Sequence, residues 1–233
     1  MSCRGYRLSI GFAVDSRGAT RYSHAMDYEF FKTALVTLFV AVDPPGLAAI
    51  FLGLTAGMRA ANRKKTAYRS VTIAFAILVA AALGGEKLLA LLGISIPAFR
   101  IAGGLLLFYI AAEMVFEKRT ERKENSAEAA IENDHPEDIA AFPLAIPLMA
   151  GPGAITATIL QASATEGNIT NFMGLIVVIG LVIGSCLVVF LLANPIDRVL
   201  GTTGRLVLSR LLGVILAAMA VQIVGDGVLS FAN

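Results

Sequence analysis

The sequence has no tryptophan and few charged residues, and both shortages limit the kinds of protein it could encode. Charged residues make up 15% of the 233 positions, whereas a typical soluble domain carries about 25%. Hydrophobic residues make up 57%. This composition argues against a soluble globular enzyme. Without tryptophan, an aromatic belt at a membrane surface would have to consist of tyrosine and phenylalanine.

Motifs that would indicate several other functions are missing. The two cysteines, Cys3 and Cys186, give no disulfide framework, and no cysteine–histidine cluster suggests a metal site. No glycine-rich loop ends in the lysine that ATP binding requires. A net charge of +2 gives no indication of nucleic-acid binding. We therefore expect no metal, no cofactor and no nucleic-acid partner, and we see no catalytic constellation of an enzyme.

The few charges are unevenly distributed along the chain. Residues 139–165 and 167–196 contain no Asp, Glu, Lys or Arg over 27 and 30 positions. A bilayer core about 30 Å thick requires about 20 apolar residues in a helix, so both stretches are long enough to cross it. Strand-like alternation is not visible in these runs. We predict an all-α membrane protein of six helices, at 30–57, 69–92, 97–116, 139–164, 171–193 and 206–229.

Lys and Arg concentrate in alternate loops, which predicts the orientation of the chain. The loops 59–69, 117–138 and 194–205 carry these residues, whereas the short connections around 93–96 and 165–170 carry none. Because loops rich in Lys and Arg stay in the cytoplasm, we expect the first three to be cytoplasmic and both termini to lie outside. The acidic residues of the longest loop do not change this, because the rule counts cations.

The N-terminal segment fits this orientation poorly. Residues 1–25 contain four arginines and lack the apolar core and cleavage site of a signal peptide. Positive charge there opposes an N-terminus outside the cytoplasm. We interpret 1–25 as a non-native or disordered leader and expect a single membrane domain over 26–233 that starts at Met26. A genuine disordered extension is the alternative.

Two of the predicted helices contain helix-breaking residues near their middle. The first has Asp-Pro-Pro-Gly at 43–46, and the fourth has Gly-Pro-Gly at 151–153. Proline inside a helix removes a hydrogen bond and clashes with the preceding turn. Interruptions at equivalent positions in two halves of a chain are typical of transporters built from inverted repeats. We therefore predict that helices 1 and 4 are discontinuous.

A second similarity between the halves supports the repeat. Arg100 begins the pattern Arg-x-x-Gly-x-x-Leu at the start of the third helix, and Arg210 begins the same pattern in the sixth. The two patterns are 110 residues apart, and the Pro-Gly pairs are 107 apart. We predict two inverted three-helix repeats at about 29–116 and 139–230, joined by the loop 117–138. An odd number of helices in each repeat makes the repeats antiparallel.

The broken helices have chemistry suited to a small zwitterion. The second half of each broken helix presents free N–H groups and a positive dipole end, which favour a carboxylate. The first half ends in free carbonyls, which suit an ammonium group or a cation. Asp43 adds a negative charge or a proton site. The residues predict a small ligand between helices 1 and 4, together with a coupling ion, H⁺ or Na⁺.

Structural roles remain as alternatives for the same residues. Asp43 could serve only to cap a helix, and the Pro-Gly motifs could serve only for packing. We expect Glu113, near the end of the third helix, to extend to the membrane surface. Arg100 and Arg210 are interpreted as interfacial anchors. The glycines at 103, 104 and 213 are interpreted as sites of close helix packing.

The motifs resemble those of the MarC family, which includes the SnatA small neutral amino acid transporters. The resemblance extends from about Met26 to the end of the chain. It is carried by residues 43–51, 54–55, 99–104, 107–108, 142–156, 210–213 and 220–222. The resemblance implies an inner-membrane protein with two inverted repeats. At Leu47 and Ala49 this chain departs from many relatives, which have Asn and Pro there.

Together, the resemblance and the motifs give the functional prediction. The chain is predicted to transport small neutral amino acids such as glycine or alanine by alternating access. The alternatives are an exporter or channel for another small solute, and a membrane scaffold whose long loop binds a partner. The predicted substrate-binding residues are Asp43, Pro44, Pro45, Gly46, Gly151, Pro152, Gly153, Ala154 and Thr156. Secondary polar sites are predicted at Glu113, Gln222 and Asp226.

Overall fold

The apolar runs form helices in the computed structural model of the chain, which describes residues 18–119, 122 and 139–232. Side chains are described from Tyr28 onward, except at positions 197, 200 and 202. The described residues form eight helical segments. These are α1 Gly18–Val42, α2 Pro44–Leu54, α3 Ala60–Leu91, α4 Ile96–Val115, α5 Ala140–Met149, α6 Pro152–Ser163, α7 Ile169–Leu191 and α8 Ala193–Ala232.

Five helices are long and apolar enough to cross a membrane, and a bent pair makes a sixth candidate span. Together α1 and α2 make one span, Tyr28–Leu54, and α5 and α6 make the bent pair, with 59° between them. The all-helical prediction is therefore confirmed, and the predicted helices fall in the observed order. Of the predicted leader 1–25, residues 1–17 lie outside the described part of the chain, and α1 already begins at Gly18.

Two helices extend further than the hydrophobic runs predict. The charged residues before Arg69 continue the helix back to Ala60, because Arg and Lys favour helices and no breaker lies among them. The predicted loop 194–205 is likewise helical within α8, apart from Gly201 at φ 57°. Glycine adopts this left-handed backbone without a steric penalty. The part of α8 beyond that point, Thr203–Ala232, is the candidate span.

Two groups of helix contacts build the bundle, one around α7 and one between α4 and α8. α7 lies against α1, α2 and α3. It contributes fully buried side chains such as Leu175 and Ile179 to the hydrophobic core. The most extensive contact joins α4 to α8, whose residues 97–115 and 213–227 meet in reverse order, so the two helices run antiparallel. α5 packs against α3, and α6 packs against α3, α4 and α1, which brings the second break against the second half of α4.

Candidate functional site

Asp43 forms the first break, between α1 and α2. Its backbone is left-handed, with φ 60° and ψ 63°, and its side chain accepts a hydrogen bond from the Gly46 N–H at 3.2 Å. Pro44 begins α2 directly after it. A Cβ at Gly46 would lie 2.3 Å from Asp43 Oδ2, so only glycine leaves room for this cap. The predicted capping role of Asp43 is confirmed, and the carboxylate is buried.

The second break is more irregular than the sequence predicts. Phe142 and Ile146 have extended backbones inside α5, with ψ near 125°. Each precedes a proline, and the proline ring disfavours helical geometry in the residue before it. The N–H of Ala150 reaches five residues back to the Ala145 oxygen at 2.8 Å. The prediction of two regular half-helices is therefore wrong for the first half of this span.

Gly151 marks the start of the second half, α6. Its extended backbone is followed by Pro152 at the first helical position, as the sequence predicts. The N–H of Ile155 then donates to the Gly151 oxygen at 3.0 Å. A Cβ at Gly151 would lie 2.4 Å from the backbone oxygen of Pro147, so the turn excludes any side chain at this position.

A cavity of about 280 Å³ lies beside the second break. The break contributes Gly151, Pro152, Gly153 and Ala154 to its lining. Only one residue of the first break region, Ala41, takes part. Of the nine predicted substrate-binding residues, the structure thus brings four to this cavity. The other five, Asp43, Pro44, Pro45, Gly46 and Thr156, do not line it.

α4 supplies much of the remaining wall of this cavity. Leu106, Tyr109 and Ile110 line it from one face of that helix. Two cations complete the lining, Arg119 and Arg122, both from the segment that follows α4. The cavity therefore has apolar walls, one helix N-terminus and two guanidinium groups. Apolar walls with a few converging polar groups are typical of small-molecule sites.

Arg119 connects the end of α4 to the first break. Its guanidinium is buried, donates to the Ala41 carbonyl oxygen and lies 2.8 Å from the Met114 sulfur. Helix termini leave carbonyl oxygens without helical partners, and here a side chain satisfies one of them. Burial lowers the pKa of Arg119 from its ordinary value, and the negative charge of Asp43 opposes this. No local sequence pattern singles out this arginine.

Glu113 is buried within the bundle, whereas the sequence predicts a side chain that extends outward. Its carboxylate is buried and lies 2.9 Å from the guanidinium of Arg122. A buried carboxylate needs a compensating charge, and the chain beyond α4 turns back to supply one. Gln222 and Asp226 bond to each other at 2.9 Å on an exposed face of α8 and do not line the cavity.

The glycines of the third and sixth spans are packing sites, as interpreted from the sequence. A Cβ at Gly103 would meet the Thr156 side chain at 2.6 Å, which also explains the burial of Thr156. Gly104 and Gly213 lie in the α4–α8 contact. Arg210 forms an ion pair with Glu117. Within residues 18–119, 122 and 139–232, no group of three or more His, Cys, Asp or Glu side chains is arranged to hold a metal ion.

Long apolar helices, two of them interrupted, around a partly charged cavity define a multi-pass integral membrane protein. Its sequence matches the profile of "MarC family integral membrane protein" over residues 28–232. The chain belongs to the MarC family.

Curated relatives come from archaea and bacteria. A "UPF0056 membrane protein" of Archaeoglobus fulgidus is 38% identical over 199 residues, covering 85% of this chain and 92% of the relative. The "UPF0056 membrane protein YhcE" of Escherichia coli is 36% identical over 202 residues, covering 87% and 93%. The "UPF0056 inner membrane protein MarC" of Salmonella typhimurium is 34% identical over 206 residues, covering 84% and 92%. No solved structure gave a significant match.

Proposed function

We propose that this protein is an inner-membrane transporter of small neutral amino acids such as glycine or alanine. The substrate binds in the cavity at the second break, and access to this cavity alternates between the two sides of the membrane. The cavity itself is the observation that carries the proposal. The inner-membrane location rests on the name of the Salmonella relative, and the substrate class rests on the resemblance to SnatA transporters.

The carboxylate of an amino acid has two sources of attraction in this cavity. The first turn of α6 contains Gly153 and Ala154, whose N–H groups precede the helical hydrogen-bond ladder and carry the positive end of the helix dipole. Arg119 and Arg122 add positive charge from the facing side. Guanidinium groups recognise carboxylates through paired hydrogen bonds. Both features therefore favour an anionic group in the cavity.

The ammonium group and the coupling ion require negative groups. Carbonyl oxygens at the end of α5 supply partial negative charge where Met149 and Ala150 precede the break. Asp43, the carboxylate of the first break, acts on Arg119 electrostatically. We assign Asp43 as the group that responds to H⁺ or Na⁺, because a buried carboxylate at a break inside a span is functional by default.

The walls of the cavity favour a small, weakly polar side chain. A volume of 280 Å³ corresponds to roughly nine water molecules, taking about 30 Å³ for each. Leu106 and Ile110 provide apolar surface that matches hydrogen or methyl as a side chain. Gly151 and Gly153 carry no side chain, so they leave backbone atoms in the lining of the cavity.

In many transporters, alternating access comes from one inverted repeat rocking against the other, and we propose such a repeat for this chain. The α4–α8 contact supports it. A Cβ at Gly213 would meet the Ala111 oxygen at 3.0 Å and Val115 at 3.1 Å. A Cβ at Gly104 would meet the Ala220 oxygen at 3.1 Å and Val224 at 2.7 Å. Each glycine thus contacts the residues seven and eleven positions beyond the other glycine, a reciprocity that antiparallel packing produces and that an inverted repeat predicts.

The neighbours of the remaining helices support the same symmetry. If the two halves are exchanged, α1 corresponds to α5 and α7 corresponds to α3. The contact of α1 with α7 then corresponds to that of α5 with α3, and the structure shows both contacts. In the same way, the contact of α2 with α7 corresponds to that of α6 with α3. The contact of α2 with α8 corresponds to that of α6 with α4, and the structure shows all four contacts. An inverted repeat about an axis in the membrane plane predicts such reciprocal contacts.

A pair of adjacent tryptophan substitutions tests the proposal. Leu106→Trp fills the cavity. Leu105→Trp changes the preceding residue of α4, which is 57% exposed and does not line the cavity. Both proteins are purified, checked for wild-type thermal stability, and reconstituted into liposomes. We expect wild type and Leu105→Trp to take up labelled glycine or alanine, and Leu106→Trp to lose roughly tenfold or more of this uptake.

The remaining outcomes separate the alternatives. Equal uptake by the two folded variants would contradict a site in this cavity. If wild-type liposomes take up neither amino acid but release another small solute, the protein is an exporter or channel of a different substrate class. If no solute moves, the scaffold alternative replaces the transporter.

A further inference from the structure

A second cavity, of about 270 Å³, lies away from the proposed transport site. It forms where α2 ends and α3 begins, against the end of α7 and the start of α8. Its floor contains Phe51 and Phe190, and its rim contains Arg63, Lys64 and Asn194. Aromatic surface therefore lies directly beneath two cations and an amide.

The cation of Arg63 is held in place by stacked rings. Its guanidinium lies 5.5 Å from the centre of the Phe51 ring. That ring stacks on Phe190, with 4.3 Å between centres and 10° between planes. A guanidinium over an aromatic face is attracted by the ring quadrupole, and this contact leaves its N–H groups free to bind an anion at its edge. The site is therefore ordered in advance of binding.

Two cations, Arg63 and Lys64, give this cavity its charge. Within the described part of the chain, neither Arg63 nor Lys64 has a carboxylate partner. The whole stretch 44–85 contains five Lys or Arg residues and no Asp or Glu. A cavity with two unpaired cations attracts an anion, and a phosphate group suits a fork of guanidinium and ammonium donors.

We propose that this cavity binds the phosphate group of an acidic phospholipid. The position at the ends of spanning helices places it where lipid headgroups lie. Leu191, which lines the cavity, and Leu192, directly after α7, leave an exposed apolar strip, with 40% and 49% of their surfaces accessible. Acyl chains lie along this strip while the headgroup occupies the cavity. Basic pockets between spanning helices are typical sites for anionic lipids.

Paired double variants test this site. The first double variant, Arg63→Gln with Lys64→Gln, removes both cations of the cavity. The control, Lys65→Gln with Arg69→Gln, removes two cations of the same helix that do not line the cavity. Delipidated protein receives phosphatidylglycerol, phosphatidylcholine or inorganic phosphate. Native mass spectrometry counts bound lipid, and thermal unfolding reports stabilisation. Melting without lipid checks that each variant is folded.

We expect phosphatidylglycerol to bind wild type and the Lys65/Arg69 variant, and to bind the Arg63/Lys64 variant roughly tenfold or more weakly. Phosphatidylcholine and inorganic phosphate should stabilise none of the proteins. Lys64→Glu, a reversal at an exposed side chain, should weaken phosphatidylglycerol binding without changing the fold. Equal lipid binding by the two double variants overturns the proposal. Stabilisation by inorganic phosphate equal to that by lipid overturns the lipid assignment.

Discussion

Asp43 has two separable roles, because its backbone shapes the break between α1 and α2 whereas its charge acts on Arg119. The left-handed backbone and the bond to Gly46 create the break, and Asp and Asn are the non-glycine residues that best tolerate this conformation. The negative charge, in contrast, acts on Arg119. A substitution that keeps the first role and removes the second can therefore isolate the contribution of the charge.

Asp43→Asn is that substitution. Asparagine also caps helices, so we expect Asp43→Asn to lose less stability than Asp43→Ala, which should lose about 0.5–2 kcal/mol. If the charge responds to a coupling ion, Asp43→Asn also lowers concentrative uptake by roughly tenfold or more. Thermal unfolding and liposome uptake measure the two effects. Concentrative uptake equal to wild type would remove Asp43 from the coupling mechanism.

Arg119 provides a second prediction at this scale. Arg119→Gln removes the donor to the buried Ala41 oxygen, and leaving a buried acceptor unsatisfied costs about 1–3 kcal/mol. Lys118→Gln removes the same charge from the adjacent exposed position and should change stability by less than about 0.5 kcal/mol. Unfolding in the same detergent compares them. Equal stability of the two variants would show that the Arg119 contact is not formed in solution.

The sequence predicted individual residues well where local chemistry decides the structure. Asp43 before proline and Gly151 before proline are capping patterns, and both cap helices. Contacts between distant residues gave no such signal. Arg119 meets Ala41 across 78 positions, and the pairing of Glu113 with Arg122 depends on how the chain turns after α4. Both cations looked like ordinary members of a charged loop.

At the scale of elements, the lengths of the apolar runs predicted the order of the spans but not every residue at which a helix begins or ends. α4 differs from its prediction by one residue at each end, because Ser95 caps it and the apolar run ends with it. α3 and α8 continue past their apolar runs into charged helical turns. α5 departs from a helix because two prolines act on the residues before them, an effect that a count of apolar residues does not include.

The α4–α8 pair allows a test of close packing between elements. Gly213→Ala places a methyl group 2.8 Å from Met114 Cβ and 3.0 Å from the Ala111 oxygen, so the helices must separate. We expect a loss of about 1–3 kcal/mol. Gly225→Ala on the same helix meets nothing within 4 Å and should be neutral or gain up to about 1 kcal/mol. Thermal unfolding distinguishes them, and equal stabilities would contradict this contact.

For the whole molecule, the distribution of Lys and Arg predicts which ends of the helices face the cytoplasm. Lys65 lies in the first cation-rich segment and Thr170 in the first turn of α7, and both are exposed. In a chain with Cys3→Ser, the native Cys186 is buried and shielded from reagents. A membrane-impermeant thiol reagent should then label Thr170→Cys in intact cells and Lys65→Cys only after permeabilisation. The reverse pattern would invert the predicted orientation.

The antiparallel contact of α4 with α8 has a mechanical consequence under the proposed inverted repeat. If one half rotates about this glycine-lined contact, the protein opens toward one side of the membrane by as much as it closes toward the other. The two end states then have the same shape seen from opposite sides of the bilayer, so the backbone favours neither. Arg119, which contacts Ala41 in this conformation, corresponds to the apolar Leu229 at the repeat offset of 110, so under the proposed symmetry this contact would favour one end state over the other.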